Sequence, residues 1–418
     1  MNFATQYFNR FNTLPPQIKT KPAHDLNIVI VIPAFNEPNI VNSLKSISNN
    51  TKYKEKVEVI IVVNSSENNS NSVKERNKNT IIEINNFIKE NKSDIKFYTI
   101  YKPNLPEKTA GVGLARKIGM DEAIHRFSQN NNPDGIIVNF DADTLCQDNY
   151  IQALENQFKN KPKTNACSIH YEHIIEGTEH KQEVYDAIIL YELYLHYYIQ
   201  ALRYIKFPYA YHTIGSAFAV KAKVYAKQGG MNTRKAGEDF YFLHKIIPLG
   251  NFSEIKNTTI YPSPRPSDRV PFGTGRAVNI MLDKNDKEYL TYNFNSFLVL
   301  KKLFEQISSL FEQNNIETIN INKILLDFLR KNNFEKDLIK IKKNSPNLEI
   351  FTKRFYDWFN AFRILKFLNY SHEDYFTKIP IIIESSKLLK LLNINNLEPE
   401  DSSKLLLKSY RKLHLSNK

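Results

Sequence analysis

The chain has 418 residues, of which 57 are Lys or Arg and 44 are Asp or Glu, for a formal charge of +13. That length buries at least one large core and leaves room for a second, smaller one. The positive balance favours anionic partners such as nucleotides or an anionic membrane surface, but the lysines are dispersed without a dense basic block, so no nucleic acid partner is expected.

Residues 1–24 read as a short N-terminal arm that ends in a stretch with Pro15, Pro16 and Pro22. It lacks the charged and then apolar segments of a signal peptide. Ile28 to Ile32 is a first buried strand, stopped by Pro33, and the segment after Asn36-Glu37-Pro38 is a helix with Ile40, Leu44 and Ile47 on one face. Val57 to Val63 is a second apolar strand, closed by the turn-rich 64–69. A helix carrying Ile81, Ile84 and Ile88 follows, then a strand over 96–101 and a helix over 113–127.

That helix leads into Ile136-Ile137-Val138, a strand buried on both faces, which runs directly into Asp141-Ala142-Asp143. In extended backbone two residues of separation point both carboxylates the same way. Their repulsion is relieved by a divalent cation, and hard oxygen ligands suit Mg²⁺ or Mn²⁺ held with the phosphates of a nucleotide. Cys146 and Cys167 have no metal-ligand spacing and read as reduced thiols of a cytosolic protein. The most apolar stretch, 187–205, is interrupted by Glu192, His196, Gln200 and Arg203, so no segment reaches the about 18 apolar residues a spanning helix needs. The expectation is a cytoplasmic protein without a transmembrane segment, with peripheral membrane contact open to it. From about residue 280 the pattern changes. Phe297, Leu300, Phe304, Ile307 and Phe311 recur at helical spacing, as do Phe351, Phe355, Phe359 and Phe362, which predicts an all-helical C-terminal module over 281–418.

Alternating strands and helices indicate an α/β fold with an open, mostly parallel sheet flanked by helices. Ligands of such sheets bind outside the carboxyl ends of the strands. The polar turns after Ile32, Val63 and Phe140 would share that edge.

Five segments, in order, then resemble family 2-type glycosyltransferases with the GT-A fold. They are Val31-Ile-Pro-Ala-Phe-Asn-Glu37, Ile60 to Ser66, Gly111 to Gly119, Asp141-Ala-Asp143, and Gly229-Gly-Met-Asn followed by Gly237-Glu-Asp-Phe240. The likeness covers 25–280 and leaves the C-terminal module out. It implies a metal-dependent, inverting transferase that moves a sugar from a nucleotide-diphosphate sugar to an acceptor hydroxyl. Pro33, Ala34 and Glu37 would then touch the base and ribose, with Asn64 at the position of an acid that reads the base. Gly111 and Gly113 would let the backbone approach the nucleotide. Arg116 would lie near the diphosphate or sugar, with Lys108 in support. Asp141 and Asp143 would hold Mn²⁺ or Mg²⁺, Asp239 would be the base, and Glu238 its support. Arg265 and Arg269, in a Pro- and Gly-rich loop over 262–276 that also carries Arg276, would clamp phosphate oxygens.

One departure is Asn64, where the family has an acid, which leaves the base undetermined. Spacing does not choose a further metal ligand among His170, His173, His212 and His244; His212, beside Thr213-Ile-Gly215-Ser216, fits the acceptor region instead. The alternatives are a retaining transferase of the same fold, which needs no base at Asp239, and a non-catalytic nucleotide-sugar-binding or scaffold protein. The excess positive charge would suit an anionic acceptor.

Overall fold

The computed structural model of the chain describes residues 2–11, 13–269, 273–283, 288–313, 320–394 and 402–416. Two compact units result, one of residues 1–181 and 213–279 and one of residues 182–212 and 280–418. The sequence places the boundary near 280. The structure adds 182–212 to the helical unit, because α6 (Gln182–Tyr204) is apolar on most of its circumference and packs against later helices.

In chain order the first unit contains α1 (Thr5–Arg10), β1 (Leu26–Ala34), α2 (Ile40–Ser48), β2 (Lys56–Ser66), α3 (Asn71–Glu90), β3 (Lys96–Leu105), α4 (Val112–Gln129), β4 (Ile136–Asn139), β5 (Leu145–Cys146), α5 (Tyr150–Asn160) and β6 (Ala166–Tyr171). After α6 come β7 (Phe218–Lys221), α7 (Ala222–Lys227), α8 (Glu238–Ile246), β8 (Phe252–Tyr261) and the start of α9 (Thr274–Asp283). The strands form one sheet in the order β3-β2-β1-β4-β7-β6-β8-β5. Its first half is parallel, but β4–β7, β7–β6 and β8–β5 pair antiparallel, so the sheet is mixed. Nothing in the short strands after 145 distinguishes the two directions from sequence.

The register fixes the functional edge. Val31 pairs with both Ile60 and Asn139, so the carboxyl-terminal ends of β1, β2 and β4 bring 33–37, 64–66 and 140–143 to one edge of the sheet. Both faces of β1 are covered, as its continuous apolar run predicts. α4 lies against β1 and β2 at Gly119, where a Cβ would collide with Val31. The N-terminal arm is tied down on α4: the Tyr7 hydroxyl donates to Asp121 (2.7 Å), and Glu122 accepts from the backbone N–H of Gln17 and Ile18. Phe11 and Tyr7 sit where side chains on Gly229 and Gly230 would clash, both glycines having positive φ.

The second unit comprises α6, β9 (Leu290–Thr291), α10 (Phe294–Phe304), α11 (Ile307–Glu312), α12 (Lys323–Lys331), α13 (Phe334–Lys343), α14 (Leu348–Trp358), α15 (Ala361–Asp374), β10 (Ile379–Pro380), α16 (Ile381–Leu391) and α17 (Ser403–Ser416). Asparagine side chains at 293, 322, 347 and 360 accept first-turn N–H groups at four helix starts, which gives local meaning to an Asn-rich sequence. The aromatic stripes form core: Phe297, Phe304, Phe351, Phe355 and Phe359 are buried, whereas Phe362 faces outward.

In the first unit Arg126 is fully enclosed, ion-paired to Glu58 through two nitrogens and lying over the Tyr98 ring at 4.7 Å. Removing one partner leaves an uncompensated buried charge. Glu58→Ala is expected to cost about 3–5 kcal/mol, read as a lower urea midpoint. A midpoint unchanged from wild type would contradict this role.

Candidate active site at the carboxyl edge of the sheet

Past β1 the chain turns at Asn36, whose φ is +49°, and presents Glu37. One residue of α3 organises this turn. Asn77 accepts the Asn36 N–H at 2.9 Å and donates to the Asn64 carbonyl at 2.9 Å, joining the ends of β1 and β2. Thr80 donates to the Glu37 carbonyl at 3.0 Å. Sequence reading did not single out Asn77 or Thr80, because both lie in a polar, Asn-rich helix with no distinguishing spacing. Pro33, Ala34 and Asn64 are buried at this edge.

The Glu37 carboxylate is fully enclosed. It accepts from Arg265 in a two-point contact (3.2 and 2.8 Å) and from Arg269 (2.8 Å). The same two guanidinium groups also reach Asp143 Oδ2, at 3.2 Å from Arg265 and 3.0 Å from Arg269. Arg269 also donates to the Phe35 carbonyl. Residues 262–269 therefore fold back onto the sheet edge. Arg276 instead begins α9 and pairs with Asp268, and residues 270–272 of the expected loop lie outside the described residues. Burial, with Glu37 and Asp141 nearby, pushes the Asp143 carboxyl above its usual range, although Arg269 and Arg265 oppose that rise.

Asp141 is held differently. Its Oδ1 accepts from Arg116 at 2.5 Å, and Arg116 also pairs with Glu238 at the first turn of α8. Arg116 is not a surface residue of α4: its side chain is 4 % exposed. Burial alone would lower its pKa, but Asp141, Glu238 and Asp239 outweigh that and hold it above its ordinary value. Gly215 makes room for it, since a Cβ there would stand 2.5–2.8 Å from the guanidinium. Gly111 and Gly113 serve a similar purpose: side chains on them would meet the 232–235 loop and Glu238. Their role is close packing of α4 against the loop that delivers the acid pair. Lys108 is exposed.

Asp239 follows Glu238 at the start of α8. Its Oδ1 accepts the Phe240 N–H at 2.7 Å. Burial and then the Glu238 charge raise its carboxyl from an ordinary 3.8 to about 7, against the lowering effect of Arg116. A carboxyl whose pKa lies near neutrality can accept a proton at physiological pH.

Asp141 and Asp143 each have one oxygen in ion pairs, which leaves one oxygen on each as a hard ligand. Among the described residues no group of three or more His, Cys, Asp and Glu side chains is arranged to hold a metal ion. His170 contacts Glu172, His173 contacts Thr274, burial pushes His244 down to about 4, and His212 belongs to the other unit. Two carboxylates fit Mg²⁺ or Mn²⁺ in the mode where nucleotide phosphates and water complete the shell.

Residues 29–228 match the family model described as Glycosyl transferase family 2. No curated protein matches the chain. Solved structures similar to it include S. aureus TarS 1–349 in complex with UDP-GlcNAc, at 12 % identity, covering 81 % of this chain and 93 % of that one with a TM-score of 0.41. A longer S. aureus TarS structure is 12 % identical and covers 68 % and 47 % respectively, with a TM-score of 0.37.

The raised Asp239 carboxyl has a consequence for stability. The native state keeps a proton up to about pH 7 that the unfolded chain releases near pH 4, so stability falls as pH rises through that window. Asp239→Asn removes this contribution. The difference in unfolding free energy between about pH 5 and about pH 8 is expected to shrink by on the order of 2 kcal/mol relative to wild type. Parallel pH dependences for the two proteins would show that Asp239 titrates normally.

Proposed function

We propose, from the match of residues 29–228 to the family model described as Glycosyl transferase family 2, that the chain transfers a sugar from a nucleotide-diphosphate sugar to an acceptor hydroxyl with inversion. One observation carries the reading. The Arg116 guanidinium touches both Asp141 and Glu238, so the acid pair on the donor side and the acid pair at α8 stand within one side chain of each other. A transfer site needs that proximity, because donor phosphate and acceptor hydroxyl flank a single anomeric carbon.

In this reading Pro33, Ala34, Glu37 and Asn64 seat the nucleoside, and Glu37 accepts hydrogen bonds from ribose hydroxyls. Asp141 and Asp143 hold Mn²⁺ or Mg²⁺, which when bound supplies charge neutralisation for the diphosphate. Arg265 and Arg269 leave Glu37 and Asp143 and take phosphate oxygens as charge-assisted partners. Asp239 removes the acceptor proton as the hydroxyl oxygen attacks the anomeric carbon. The sugar–phosphate bond breaks with its electron pair going to the diphosphate, and the proton remains on Asp239. Glu238, fixed by Arg116, maintains the charge environment that keeps Asp239 near neutrality. The positive balance of the chain suits an anionic acceptor, and no helix of the described residues is long and apolar enough to cross a membrane.

Calorimetric titration of UDP, GDP, dTDP and CDP, with and without Mn²⁺, tests the donor side. One diphosphate is expected to bind in a Mn²⁺-dependent manner, with binding lost in Asp143→Ala. Absence of binding by all four to folded protein would overturn the proposal. With the matching donor, Asp239→Asn should keep diphosphate affinity while turnover falls at least about 100-fold. Turnover near wild type in that variant would remove Asp239 as the base and favour the retaining route.

A further inference from the structure

One enclosed polar cluster of the first unit takes no part in the proposed reaction. It centres on Asp121 of α4, whose Oδ1 accepts the hydroxyls of Tyr7 and Tyr225, each at 2.7 Å. Asp121 Oδ2 accepts from Lys117 Nζ at 2.7 Å, and Lys117 also donates to the Tyr7 hydroxyl at 3.0 Å. Burial and then the Asp121 charge raise the Tyr7 hydroxyl above its ordinary range, so it remains a donor. One lysine balances one carboxylate, so the cluster calls for no charged ligand. What it does is join three segments of chain: the N-terminal arm, α4 and α7.

The last of these segments leads directly to Glu238 and Asp239. Gly113, Lys117 and Asp121 recur at a spacing of four and so share one face of α4. The stretch from α7 to α8 runs along that face. Tyr225 meets Asp121, and a Cβ on Gly113 would crowd the Asn232 and Arg234 carbonyls. The Asn232 side chain donates to the Glu238 carbonyl at 3.0 Å and accepts the Arg234 N–H at 3.1 Å, which ties the loop to the first turn of α8. Between the anchors at Tyr225 and Asn232 stand Gly229 and Gly230, both at positive φ, a residue type with little conformational preference of its own. The arm covers them. The Tyr7 hydroxyl lies over Gly230, and a Cβ on Gly229 would stand 2.7 Å from the Phe11 ring. The Tyr7 and Phe11 rings are 5.2 Å apart and brace each other.

We propose that Tyr7 is a positioning residue: through the 229–232 turn it sets where α8 presents Glu238 and Asp239. The effect on turnover rests on the transfer reading above, whereas the effect on the turn and on α8 does not.

Two variants of the full chain separate this role from plain anchoring of the arm. Tyr7→Phe keeps the ring and removes the hydroxyl at the turn. Ser128→Ala removes an arm bond at the other end of α4, where Ser128 Oγ donates to Asn2 at 2.9 Å. Amide hydrogen exchange is compared among the two variants and wild type. Protection of α8 is expected to fall about tenfold in Tyr7→Phe while β1 and β2 keep theirs, and to stay as in wild type in Ser128→Ala. With the donor whose diphosphate binds, kcat of Tyr7→Phe is expected to fall about tenfold with donor KM within about twofold, and Ser128→Ala to keep wild-type kcat. Wild-type protection of α8 in Tyr7→Phe would overturn the proposal. So would equal losses in the two variants, a loss that extends equally to β1 and β2, or a loss of protection with kcat intact. If no diphosphate binds the wild type, the transfer reading falls, and the exchange comparison alone still decides the role of Tyr7.

Discussion

Charge neutralisation at the carboxyl edge of the sheet is the constraint on which the rest of the first unit depends. Glu37, Asp141, Asp143, Glu238 and Asp239 converge there, and three guanidinium groups, from Arg116, Arg265 and Arg269, are bonded among them. With five carboxylates against three cations, two negative charges remain when all are ionised. Unpaired charge is expensive out of water, so the cluster favours uptake of a proton, toward which burial and neighbouring acids push Asp239, or of a cation.

The two halves of this network differ in how firmly they are built. Arg116 is enclosed, seated against Gly215, and bonded to acids from β4 and α8. It holds the acid after β4 and the acid at the start of α8 in register. Arg265 and Arg269 are about a quarter exposed and arrive on an irregular segment, so their bonds to Glu37 and Asp143 are the less firmly held, and the proposed reading exchanges them for bonds to a phosphate. A fixed guanidinium and two exchangeable ones suit a site that must admit a charged donor without losing its geometry.

The parallel half of the sheet was legible in sequence because buried strands there are continuous apolar runs, although β1 and β2 continue through Pro33 and Asn64 to Ala34 and Ser66. The acids were legible because strand ends and helix starts fix where a carboxylate points. Other features depend on contacts between distant residues. The burial of Arg116 is set by Gly215, about a hundred positions away, and the sequence around Arg116 resembles any amphipathic helix surface. Gly111, Gly113, Gly229 and Gly230 read as nucleotide-side or family signatures, yet each is small because another segment of the same unit crosses it. The N-terminal arm reads only as a short arm with prolines near its end, and its bonds to Asp121 and Glu122 on α4 follow from no local pattern. The assignment of 182–212 to the helical unit depends on which helices α6 packs against, which periodicity does not encode.

The most direct test of this account is a crystal structure with Mn²⁺ and the tightest-binding nucleoside diphosphate. The account predicts the ion on the free oxygens of Asp141 and Asp143, Arg265 and Arg269 moved to phosphate oxygens, and Arg116 still bridging Asp141 and Glu238. A diphosphate bound elsewhere, with Arg265 and Arg269 still on Glu37 and Asp143, would contradict it.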